Sequence, residues 1–226
     1  MDASVIVAGG VCVALAFTLM VVAVVVSRRR ERQRRELLEV WAVRNRWQYV
    51  PRPPADWWRR LPGRNPRGVS LALSGTVGGR PVSVGEYSYT TTSTTSGADG
   101  TTSTSSQTHH FVVWVVRVRG SWPAVSVHRR GAMSRFGRSL FGDRSTALGY
   151  EPFDSAFRIS ADRPEMVRDL FGRDLVAEQL SGWLPDWSLS GDELMVVQSG
   201  RLGEPDGIPA RFGPLVRVAD LIEAPR

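Results

Sequence analysis

His109-His110-Phe111-Val112-Val113-Trp114-Val115-Val116-Arg117-Val118-Arg119 is the stretch from which the fold is read. Its centre, Phe111–Val116, is apolar on both faces, as in a strand covered on both sides. At Arg117-Val118-Arg119 the pattern changes to alternation, which predicts one exposed face. Gly120-Ser121 reads as a turn, and Trp122–His128 (WPAVSVH) as a further strand with Pro123 at an edge. Upstream, Val69–Val77 and Arg80–Thr90 alternate around Gly78-Gly79, a two-residue hairpin signal. Gly85 is read as a bulge. Residues 90–108, rich in Ser and Thr, are too polar to pack and predict a long mobile loop.

Downstream, Phe153–Ile159 reads as a strand. Asp162-Arg163-Pro164-Glu165 reads as a helix start, with Met166, Val167, Leu170 and Phe171 on its buried stripe. Asp174–Trp183 predicts a second helix, stopped by Gly182 and Pro185. Trp187–Leu189 and Leu194–Gln198 flank Gly191-Asp192 and predict a hairpin. Arg211–Glu223 closes as a helix with Leu215, Val218, Ala219 and Ile222 on one face. The short apolar patch Phe136, Leu140 and Phe141 is expected to return to the sheet. Together these elements predict an α+β domain over residues 49–226, an antiparallel β-sheet with packed helices.

Ahead of this domain lies Ser4–Val26, SVIVAGGVCVALAFTLMVVAVVV, with no charged residue. As a helix it is about 34 Å long, enough to cross a hydrocarbon core of about 30 Å. Residues 1–27 are therefore read as an N-terminal transmembrane helix, a single-pass anchor. Met1-Asp2 is acidic and the apolar core is long, unlike a cleaved signal peptide. Gly9-Gly10 lacks the GxxxG spacing of a dimerising face, and Cys12, the one cysteine, is read as a small apolar residue facing lipid or a neighbouring helix. Arg28, Arg29, Arg30, Arg32, Arg34 and Arg35 follow at once. The positive-inside rule places the N-terminus outside and the C-terminal domain in the cytoplasm, at the cell membrane. Residues 28–48 read as a juxtamembrane basic helix, with Glu31 and Arg35 as an i, i+4 pair.

The net charge of +7 is carried by residues 28–60, which hold 11 arginines and four acidic residues; residues 61–226 are almost neutral. All 29 basic residues are arginine, a composition typical of a high-GC genome. A nucleic-acid binder carries its positive charge on a folded face, so nucleic acid is not the expected partner. The expected partner is anionic lipid headgroups, met by the six arginines; Trp41 either joins them at the headgroups or, the favoured reading, docks onto the domain with Leu37 and Trp47.

Chemistry is sparse. The three histidines, His109, His110 and His128, do not share one strand face, and no cofactor or metal site is expected. No G-x-S-x-G pentapeptide occurs, and the absence of lysine excludes a Walker A loop. Asp192-Glu193 reads as turn chemistry. Eight tryptophans remain. Trp114 belongs to the core, while Trp122, Trp183 and Trp187 flank turns and are assigned to an apolar pocket or a surface for an unknown protein partner. Interaction or scaffolding at the membrane, without turnover, is the resulting expectation. An enzyme or ligand-binding domain and an anionic-lipid sensor are the alternatives.

Several local patterns go together: Trp47 and Tyr49, Tyr89-Thr90-Thr91, Phe153–Pro164 (FDSAFRISADRP) and Trp187–Leu194 (WSLSGDEL). With the N-terminal apolar run, the chain resembles a family of uncharacterised single-pass membrane proteins of high-GC bacteria. That resemblance implies the architecture and brings no catalytic residues.

Overall fold

The computed structural model describes residues 3–96, 102–131 and 146–224, with the side chains of its first helix described from Phe17 onward. Two units are distinguished, residues 1–45 and 46–226. The first is one helix, α1, Ala3–Arg44. Its end is closed by Asn45, whose main-chain and side-chain N–H groups both donate to the Trp41 carbonyl, at 3.0 and 2.9 Å. Among the described residues no helix is long and apolar enough to cross a membrane. Of the uncharged run only residues 17–26 have described side chains, so Gly9, Gly10 and Cys12 lie outside them. The helix expected there is present, and its passage through a bilayer is not shown.

The second unit is an α+β domain around a six-stranded antiparallel sheet. Its strands are β1 (Gln48–Pro51), β2 (Val69–Val77), β3 (Arg80–Ser96), β4 (Thr102–Arg129), β5 (Phe157–Ala161) and β6 (Trp187–Ser199). The helices are α2 (Glu151–Ala156), α3 (Val167–Leu170), α4 (Arg173–Leu180), α5 (Ile208–Arg211) and α6 (Gly213–Glu223), with a 3-10 turn at Asp56–Arg60. β1, β2, β3 and β4 follow in order. Gly78 and Gly79, both at positive φ (57° and 74°), join β2 to β3, because a two-residue turn that matches strand twist needs positive φ at both positions.

β4 is the spine. Its first half pairs with β3, its last five residues pair with β5, and β6 runs along its other edge. Phe111, Val113 and Val115 of β4 bury one face with Val69, Ala72, Tyr87 and Met195, under Trp57 and Leu61. Trp114 points to the opposite face, edge-on to Phe212 at 5.1 Å, and Phe212 also meets Trp47 at 6.0 Å. Burying each such side chain contributes about 1.5–3 kcal/mol. The run that is apolar on both faces is thus the strand covered on both faces.

Several expectations are corrected. The tract 90–108 is not a loop where it is described. Thr90–Ser96 pairs residue by residue with Thr102–Thr108, because β-branched threonines favour the extended chain and its ladder closes without a core. Gly120-Ser121 does not end a hairpin. β4 continues through it, Gly120 sits at φ 84°, and Trp122–His128 pairs with β5 and β6 instead of folding back. Gly191-Asp192 likewise lies inside a continuous β6. Phe153 belongs to α2, and the strand starts at Phe157. Gly85 is in regular register with both neighbours; its missing Cβ leaves room for the Trp57 ring. Phe136, Leu140 and Phe141 lie outside the described residues.

Candidate partner groove

The irregular strands around Gly120 and Gly191 border a concavity. Between the pairs Arg117–Glu193 and Trp122–Gly191, β4 advances by five residues and β6 by two. Between Trp122–Gly191 and Val125–Leu189 it advances by three against two. A bulge bends its strand and re-aims side chains. Here it lifts Arg119, Trp122 and Pro123 off the regular sheet, and the Trp122 indole N–H donates to the Arg119 carbonyl at 2.9 Å. Met166, Asp169 and Leu170, from the turn before α3 and from α3 itself, face them. Ile222, Glu223 and Ala224 at the end of α6 form the third wall. The groove encloses about 480 Å³, within the range of small-ligand sites.

Its lining is mainly apolar, with three charged groups. Glu223 is held in place: Arg80 donates to both its oxygens at 2.8 and 3.0 Å, and the Arg119 N–H donates at 2.6 Å. The hydrogen bond from Arg80 holds its carboxyl below the usual range; burial opposes this and the Arg119 N–H adds to it. Arg80 also binds Asp220 at 2.7 Å, so the end of α6 is fastened to the start of β3. Arg119 leaves 93% of its side chain in solvent. The site therefore offers an apolar trough with a solvated cation and an exposed carboxylate, Asp169, at its rim.

A second, smaller concavity of about 170 Å³ lies where Trp114, Trp183, Leu184, Pro185, Arg211 and Pro214 meet. Trp183 is 56% exposed there. The three tryptophans assigned to a partner surface thus separate. Trp122 is half-buried in the first groove and Trp183 is exposed at the second. Trp187 is core, 1% exposed and stacked on Phe171 at 5.9 Å, with its N–H donating to Gln179 at 3.0 Å; it is withdrawn from any surface. Met166, Leu170 and Ile222 are legible in the sequence only as buried stripes. The sequence signal for the groove is Pro123 directly after Trp122, at the point where alternation fails.

In the first unit, Arg28, Arg29, Arg30 and Arg32 are exposed. Arg34 and Arg35 are committed to Glu31, at 3.0 and 2.9 Å. Burial raises the Glu31 carboxyl, but these two arginines outweigh it and hold it at about 2. Trp41 is buried with Leu38 and Ala42, while Leu37, Val40 and Val43 are exposed.

Other polar residues singled out in the sequence make contacts within the second unit. Glu193, read as turn chemistry, lies in β6 and binds Arg60, Arg117 and the Trp57 indole N–H. Burial pushes the Arg60 guanidinium below its ordinary value, partly offset by Glu193. His109 stacks on Tyr89 at 4.9 Å, His110 lies 3.2 Å from Arg201, and His128 sits across from Arg158 and 3.5 Å from Asp186. Among the described residues no group of three potential metal ligands occurs.

No protein-family model and no curated protein matches the chain. Among solved structures it is similar in fold to the crystal structure of the mycobacterial trehalose monomycolate transport factor A, TtfA. The TM-score is 0.52 at 11% identity, over 85% of this chain and 98% of that one.

Proposed function

We propose that the protein is a membrane-tethered accessory factor in lipid transport that acts by binding, through the Trp122 groove, and not by turnover. The observation that carries this reading is the likeness to TtfA, which extends over nearly all of that chain. The groove supports it: Glu223 is already bound by Arg80 and Arg119, and what remains is mostly apolar lining suited to an acyl chain or an apolar partner segment. Ser4–Val26 is the tether, a single-pass helix with its N-terminus outside and the α+β domain in the cytoplasm.

Two experiments test the two halves separately. With tags at both ends, the full chain stays in the membrane pellet after alkaline washing, and protease removes the C-terminal tag only in inverted vesicles. A chain recovered in the supernatant defeats the tether, and cleavage from outside reverses the orientation. For the groove, a photoreactive fatty acid labels peptides from 119–125 and 164–171 in the full chain, and Met166→Arg removes the labelling. Equal labelling of wild type and variant defeats binding at this site.

A second reading, an anionic-lipid sensor, is favoured by the exposure of Arg28, Arg29, Arg30 and Arg32. It predicts that a chain starting at Arg28 binds anionic vesicles, that salt abolishes the binding, and that glutamine at those four positions does the same. Binding that survives the four substitutions rejects it.

A further inference from the structure

β3 and β4 continue as a pair beyond the rest of the sheet. β2 leaves β3 at Tyr87, and β6 leaves β4 at Phe111. Seven further pairs follow, from Thr90–Thr108 to Ser96–Thr102, a ribbon about 24 Å long at 3.4 Å per residue. All fourteen residues are exposed. Among the described residues no strand pairs with either outer edge of this arm.

The hydrogen-bond phase of the arm follows from its root. Ser88 N–H donates outward to Gly68, and the His110 carbonyl accepts from Gly200 N–H on the other side, both at 2.9 Å. Ser88 and His110 face each other, so theirs is a pair without mutual hydrogen bonds. Antiparallel alternation then turns the N–H and C=O of Thr90, Thr92, Thr94 and Ser96 outward on β3. It does the same for Thr102, Thr104, Ser106 and Thr108 on β4. The hydroxyl contacts Thr90–Thr108 (3.0 Å) and Thr92–Ser106 (3.3 Å) fall in this set, where facing side chains are closest.

Exposed edges of monomeric proteins are blunted by charge, proline or bulges. These fourteen residues contain no charge, no proline and no glycine, in a chain that is 23% charged. A lone two-stranded ribbon is also marginal in water. We propose that the arm is an interface, and that its partner is the same arm of a second copy, paired edge to edge and antiparallel about a twofold axis. Such an axis sets like against like, which repels where edges are charged and is neutral where both carry hydroxyls. Rows of short hydroxyl side chains supply no pocket for a bulky or charged partner, so main-chain pairing with an equally small edge is what they favour.

The test uses the full chain in detergent, with mass from light scattering and amide exchange over 90–96 and 102–108. Thr94→Pro and Thr104→Pro each remove one outward donor and none from the β3–β4 ladder. A double change, Thr92→Lys with Thr94→Lys, places repelling charges on the edge without touching the backbone. We expect a two-chain mass for the wild type, with slowed exchange at the outward amides of one edge. We expect a one-chain mass for the proline on that edge, and for the lysine pair if the edge is β3. A one-chain wild type overturns the proposal, as does a two-chain mass unchanged by both prolines. Slowed outward amides in a one-chain species overturn it too, since another partner would then cover the edge.

Discussion

Gln179 is fully buried and every polar atom of its side chain is used. It accepts from the Trp187 indole and donates to the Leu184 and Pro185 carbonyls, at 3.4 and 3.2 Å. Gln179→Leu removes these partners at once and leaves a buried N–H and two carbonyls unmatched. Loss of about 2–4 kcal/mol in a urea titration is expected, against little change for an exposed glutamine such as Gln33. Glu223 gives a pH signature. Its folded carboxyl titrates below its unfolded value, so its contribution is complete above the unfolded pKa of about 4.3 and is lost as pH falls through the lower folded value. Glu223→Gln should therefore lose less stability than wild type between about pH 5 and pH 3. Urea midpoints across that range, parallel for the two proteins, would refute the assignment.

At the scale of elements, the bend in β4 decides the groove. Gly120, at φ 84°, would meet no clash with a side chain: the nearest atom to a Cβ there is the Trp122 Nε1, at an ordinary van der Waals distance of 3.8 Å. The obstacle to substitution is therefore the backbone and not packing. Gly120→Val should cost about 1–2 kcal/mol, with a shift of Trp122 emission as the groove floor relaxes. Unchanged emission together with unchanged stability would show that the bend does not depend on glycine. Residues 109–119 reveal the strand because periodicity is local. They do not reveal its continuation, because Gly120-Ser121 is turn chemistry that here serves a bulge. The register that makes it a bulge is set by β6, far along the chain. The Ser/Thr tract resembles a loop for a related reason: low hydrophobicity argues against a core, and the pairing that extends it is set by the register of β3 against β4.

At the scale of the whole molecule, the proposed tether makes a prediction independent of the groove. Three glutamates spread through residues 10–22 should release the chain from membranes without changing the urea midpoint of the domain. Retention in the pellet would place the attachment elsewhere. The sequence by itself determined the uncharged run and its arginine flank, the Gly78-Gly79 hairpin, the doubly covered strand at 111–116 and the buried stripe of α6. Each of these rests on neighbours within a turn or two of chain, where period, charge and positive φ act directly. Only the tertiary structure decided that Trp187 is core while Trp183 is exposed, that Glu193 meets Arg60, and that Trp122, Leu170 and Ile222 line one groove. Those outcomes depend on which distant segment covers a side chain, and that is fixed by the register of β4 against β5 and β6 and by the packing of α3 and α6.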